Sequence, residues 1–159
     1  MTTPGSAPRV LFVCLGNLCR SPMAMALLRH RLDGDSENAG VRVDSAGYYD
    51  WGPFPREAHP FARRAVEHLC GSDLLADHTA KRWSPAMVED ATCIVVAEEQ
   101  MRGDFPGGKV VTLRELGGER GDVDDPYGGD LATYVDCARD IDRLISKGWS
   151  RLLEDGTRT

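Results

Sequence analysis

Strand-like and helix-like segments alternate along this chain of 159 residues, which predicts an α/β fold: a small, doubly wound, parallel four-stranded sheet with helices on both faces. Two observations carry that reading. The runs Val10 to Cys14, Val41 to Ser45, Cys93 to Ala97 and Lys109 to Leu113 are short, apolar and rich in β-branched residues, as strands covered on both faces are. Between them lie segments with helical periodicity or helix-start signals, the crossovers that make consecutive strands parallel.

The first strand, Arg9 to Val13, is an unbroken apolar run that leaves Cys14 at its carboxyl end. Cys14-Leu15-Gly16-Asn17-Leu18-Cys19-Arg20-Ser21-Pro22 then turns strand into helix: Ser21 suits an N-cap, Pro22 a first helical turn, and the helix continues over 22–33. Backbone N–H groups converging in such a loop, above a helix N-terminus, form an anion site after the first strand. Its natural ligand is a phosphoryl group. Further helices are expected over 60–70, 84–90, 98–104 and 130–154, with His59-Pro60 and Ser84-Pro85 marking two of the starts. In the last, Leu131, Tyr134, Val135, Ala138, Ile141, Ile145, Trp149 and Leu152 repeat at three- and four-residue steps and read as core. Tyr48 to Pro55, dense in aromatics, Gly and Pro, and Gly117 to Gly129, dense in Gly and Asp, read as functional loops.

The length suits one domain over 1–159, with 1–8 as a flexible lead. A net charge of −6 argues against nonspecific binding to nucleic acid or anionic membranes. No stretch resembles a signal peptide or reaches transmembrane length, so a cytoplasmic protein is expected. Five widely spread cysteines argue for reduced thiols, and no Cys or His pair has zinc-site spacing, so neither metal nor cofactor is expected. His30, His59 and His68 read as surface or helix residues.

A Cys followed six residues later by Arg is weak evidence alone, and the chain contains a second instance in Cys137 and Arg143. That segment lacks Gly and is helical in pattern, so Cys137 reads as a small apolar residue. At Cys14 the loop, helix start and strand agree. Cys14 would attack phosphorus as a thiolate favoured by loop amides, Arg20 and the helix N-terminus. Arg20 would hold two phosphoryl oxygens with its planar fork, and the backbone N–H groups from Leu15 through Gly16, Asn17, Leu18 and Cys19 to Arg20 would supply the other donors. Ser21 would donate toward the sulfur when it leaves, and Asn17 tolerates the left-handed backbone a tight loop needs. Trp51, Tyr49 and Tyr127 would wall a slot for a phenyl ring. Cys19, five residues after Cys14 in the same loop, reads either as packing or as a thiol able to capture an oxidised Cys14 reversibly.

Cys14 to Pro22 resembles the phosphate-binding signature of the low-molecular-weight protein tyrosine phosphatases, and Asp125-Pro126-Tyr127 resembles their general-acid loop. Asp44-Ser45-Ala46-Gly47 and His78 ahead of Thr79-Ala80-Lys81 are similar more loosely. The resemblance implies phosphotyrosine hydrolysis through a cysteinyl phosphate. Asp125, rather than its neighbour Asp124, would be the general acid and then the general base. It implies that Ser45 and His78 hold the side chain of Asn17, and that Leu18, before the second loop cysteine, favours phosphotyrosine over phosphoarginine. Tyrosine-phosphorylated proteins would be substrates, and inorganic phosphate or other oxyanions inhibitors. Tyr48-Tyr49-Asp50 and Gly128 depart from the family at the substrate rim. The rival readings are a thiol-dependent arsenate reductase, for which the remaining cysteines lack a close pair, a phosphoarginine phosphatase, and a noncatalytic phosphotyrosine-binding module, which would not need both nucleophile and acid.

Overall fold

A computed structural model describes residues 7–154. Four strands, β1 (Arg9–Cys14), β2 (Arg42–Gly47), β3 (Cys93–Val96) and β4 (Val110–Thr112), form one parallel sheet in the order β2-β1-β3-β4. The helices are α1 (Arg20–Leu32), α2 (Pro60–Cys70), α3 (Pro85–Asp90), α4 (Leu113–Leu116) and α5 (Leu131–Glu154).

The alternation of side chains along β1 explains why its run is apolar throughout. Val10, Phe12 and Cys14 enter a core shared with α1, α2 and α5, whereas Leu11 and Val13 enter a second core with Ile94, Val96, Met101 and Phe105. Both faces are therefore covered. The chain leaves β1 toward β2 on one side and later returns to β3 on the other, so the order reverses at β1. In open α/β sheets the crevice beyond the strand ends at such a reversal is where ligands bind. Cys14 ends β1 at that point.

Four expectations need correction. Residues 98–104 form a single 3₁₀ segment, Glu99–Asp104, rather than an α-helix; Gly103 near its end is a poor helix former and no side chain caps its start. The fourth strand stops at Thr112, where a capping box starts α4: the Thr112 hydroxyl accepts from the Glu115 N–H and the Glu115 carboxylate accepts from the Thr112 N–H. The apolar Leu113 belongs to that helix. Ser21 is not an N-cap, since α1 begins at Arg20 and Cys19 precedes it without a side-chain cap. Of the expected flexible lead, 1–6 lie outside the described residues, but the Pro8 carbonyl accepts from Arg42 N–H at 3.0 Å and prolongs the β1–β2 pairing.

Candidate active site

The loop from Leu15 to Cys19 is shaped from outside. The Leu15 carbonyl accepts from Tyr48 N–H at 2.7 Å, that of Gly16 from the Trp51 indole at 3.0 Å, that of Asn17 from His78 Nε2 at 3.0 Å, and that of Leu18 from His59 N–H at 2.9 Å. The peptide bonds of the described residues are all trans, so a carbonyl turned outward turns the next N–H inward. Four consecutive anchors thus aim the amides of Gly16, Asn17, Leu18 and Cys19 toward the inside of the loop. Asn17 has φ 57°, the left-handed backbone expected of it. Its side chain is fully satisfied: Nδ2 donates to Ser21 Oγ at 2.8 Å and Ser45 Oγ at 3.0 Å, and Oδ1 accepts from Lys81 N–H at 3.0 Å. Ser45 holds the Asn17 side chain as expected, whereas His78 holds the Asn17 carbonyl instead.

Cys14 Sγ lies 2.9 Å from Ser21 Oγ. Asn17 donates into that same hydroxyl, whose single proton has two acceptors in reach, the Ala46 carbonyl at 3.3 Å and the sulfur, the nearer of the two. Arg20 is 1 % exposed. Its guanidinium meets Glu98 Oε2 at 2.8 Å, the Val123 carbonyl at 2.8 Å and Asp125 Oδ2 at 3.5 Å, while its buried Nε has no partner among the described residues. Burial opposes the arginine charge, but Cys14, Asp125 and Glu98 outweigh it and hold the pKa above its ordinary value.

These groups open into a cavity of about 370 Å³ lined by Cys14, Leu15, Gly16, Leu18, Cys19, Arg20, Tyr49, Trp51, Arg56, Asp125 and Tyr127. Tyr49 stands edge-on to Trp51 with centroids 5.5 Å apart. Asp125 lines the cavity and Asp124 does not; the Asp124 carbonyl faces Cys137 Sγ at 3.9 Å on α5. Arg143 is engaged by Glu119 at 2.6 Å and Asp140 at 2.7 Å, so the second Cys/Arg spacing forms no site.

Taken together, an amide-lined loop, a thiol at a strand end and a buried arginine with a donor unpartnered among the described residues make a site suited to an oxyanion, with a thiol at its base. The sequence pattern of the low molecular weight phosphotyrosine protein phosphatases matches residues 9–157. The chain belongs to that family. It is 30% identical to a protein-arginine-phosphatase of Bacillus subtilis over 92% of this chain and 97% of that one. It is 36% identical to the probable low molecular weight protein-tyrosine-phosphatase EpsP of Ralstonia nicotianae, over 86% of this chain and 90% of that one. A crystal structure of a low molecular weight protein tyrosine phosphatase from T. tengcongensis superposes with a TM-score of 0.77 at 31% identity, covering 89% of this chain and 97% of the other. The activity the family is named for, phosphotyrosine protein phosphatase, is phosphoric monoester hydrolysis, and this chain is a phosphoric monoester hydrolase by membership.

Four groups at the site escape a reading of the sequence, Arg56 on the cavity wall among them. Glu98 pairs with Arg20 because it follows β3, the strand beside β1, so its loop opens at the same end of the sheet. Val123, buried at the root of the acid loop, bonds Ala97 through its N–H and Arg20 through its carbonyl. Tyr134, read as core, is buried yet places its hydroxyl 3.4 Å from Cys19 Sγ, and His59 stacks on its ring at 4.8 Å. Only the topology around β1 and β3 offered a signal, and for Glu98 alone.

Proposed function

We propose that this chain hydrolyses phosphotyrosine in protein substrates through a cysteinyl-phosphate intermediate, as one phosphatase domain acting in the cytoplasm. The observation that supports it best is that Cys14 and Arg20 line one cavity, while the buried Arg20 Nε, without a partner among the described residues, is a donor that a phosphoryl oxygen would satisfy. Arg20 and the inward amides hold the phosphoryl oxygens, and the Cys14 thiolate attacks phosphorus, forming the S–P bond. The P–O bond to the phenol breaks as Asp125 protonates the departing oxygen. Asp125 then takes a proton from the water that attacks the thiophosphate. The S–P bond breaks, and the Ser21 hydroxyl stabilises the released thiolate. Phosphate and other oxyanions would compete for the same cradle.

Leu18 on the cavity wall, with Tyr49, Trp51 and Tyr127 around it, supports an aromatic over a guanidino leaving group. Hydrolysis of phosphotyrosine, phosphoserine and phosphoarginine peptides, measured side by side with arsenate reduction, tests the reading. Phosphotyrosine is expected to lead. Faster phosphoarginine hydrolysis would transfer to this chain the activity named for the Bacillus relative.

Cys19 bears on redox behaviour. Burial, above all, pushes its thiol up to about 12, with Asp125 and Cys14 adding to the effect and the Tyr134 hydrogen bond opposing it. Such a thiol attacks slowly at neutral pH. We propose that peroxide converts Cys14 to a sulfenic acid, which Cys19 displaces with loss of water to form a disulfide that dithiothreitol reduces. Recovery after peroxide is expected to improve as pH rises and to be poorer in Cys19→Ser, where the sulfenic acid is left open to overoxidation; equal recovery in that variant would leave Cys19 as packing.

A further inference from the structure

Arg56 stands where the catalytic cavity runs into a second groove. It lines both, as does Leu18, and the second groove, of about 480 Å³, is completed by Pro55, Glu57, His59 and Arg63 among others. The guanidinium carbon of Arg56 lies over the Trp51 ring, 4.4 Å from its centroid, and that indole donates to the Gly16 carbonyl of the phosphate loop at 3.0 Å. Stacking fixes the plane of the guanidinium while leaving the N–H donors at its edge available. Among the described residues Arg56 enters no ion pair, whereas Arg63 is engaged by Asp73 at 2.6 Å. Burial, and then the Arg56 charge, hold His59 below its ordinary pKa, which disfavours a second cation beside Arg56. Arg56 is therefore the groove's unpaired cation, with Glu57 the acidic neighbour.

We infer that this groove is a subsite for the carboxylate side chain of a residue flanking the phosphotyrosine, with Arg56 as the specificity-determining residue. The inference rests on the proposed tyrosine phosphatase reading, since the aryl group must occupy the first cavity for its neighbour to reach the second. The net charge of −6 repels an acidic peptide at long range, so any acidic preference has to come from this local contact.

The test uses phosphotyrosine peptides carrying Glu, Ala or Lys at each of the two positions on either side of the phosphorylated residue. The wild-type chain is expected to favour Glu over Lys at one or more of these positions by about two- to five-fold in kcat/KM, the range of an exposed ion pair. The preference should vanish near ~1 M salt, where screening acts within a few ångströms. Arg56→Ala is expected to abolish the Glu/Lys ratio and Arg56→Glu to invert it. Equal rates for Glu and Lys peptides in the wild type, or a ratio that survives in Arg56→Ala, would overturn the subsite while leaving the phosphatase reading intact. Failure to turn over any phosphotyrosine peptide would instead overturn that reading, and the subsite with it.

Discussion

In the proposed reaction two side chains in the cavity divide the chemistry between them, and each division is testable. Cys14→Ser removes the nucleophile but none of the donors, because the amides are held by Tyr48, Trp51, His78 and His59, and Arg20 by Glu98 and Val123. Turnover should disappear while vanadate or phosphate still binds, as calorimetry would show; residual hydrolysis near the wild-type rate would remove Cys14 from its role. Asp125→Asn is expected to slow hydrolysis of phosphotyrosine by ~10²–10⁴-fold and to spare an aryl phosphate with an activated leaving group, which departs without a proton. Asp124→Asn should show no such selectivity, since Asp124 does not line the cavity. Comparing the two substrates in both variants decides which carboxylate is the acid.

At the scale of elements, the phosphate loop depends on how closely β2 passes beneath it. A Cβ on Gly47 would come within 2.8 Å of Asn17 N and 2.9 Å of both Gly16 C and Leu15 O, all backbone atoms with no flexible end to yield. Gly47→Ala should therefore displace the loop and reduce oxyanion affinity together with stability, measurable as lower Tm and weaker vanadate binding in the same protein; unchanged binding would contradict this packing. The α4 start offers a contrasting case remote from the chemistry. Thr112→Ala removes one half of a capping box and is expected to cost about 1 kcal/mol of stability with kcat unaltered.

Across the whole molecule, His78 links folding to pH. It is half-buried and donates to the Asn17 carbonyl, and burial, partly offset by that hydrogen bond, lowers its pKa below the ordinary value. A histidine that resists protonation in the fold stabilises it fully above the unfolded pKa of about 6.5, and that contribution is lost as pH falls through and below this value. His59 shifts in the same direction. Denaturant midpoints are expected to fall as the solution is acidified from neutrality, and His78→Gln should flatten that dependence while lowering the midpoint at neutral pH. A midpoint that stays constant on acidification would show that His78 is not coupled to folding.

The sequence alone determined the strands, their parallel order of use and the nine residues from Cys14 to Pro22, because these rest on local signals: apolar runs, a strand-to-helix turn, a left-handed Asn and an Asp-Pro turn. It also separated Cys14 from Cys137, since only one of the two sits in a loop. The rest depended on contacts between residues far apart in the chain. Ser21 reads locally as a helix cap, yet its hydroxyl is claimed by Cys14 and Asn17 once β2 closes against the loop. Glu98, Val123, Tyr134 and Arg56 carry no local pattern that marks them. They reach the site because β3, the acid loop, α5 and the segment before α2 converge beyond the end of β1, where the order of strands reverses and a buried arginine charge needs partners.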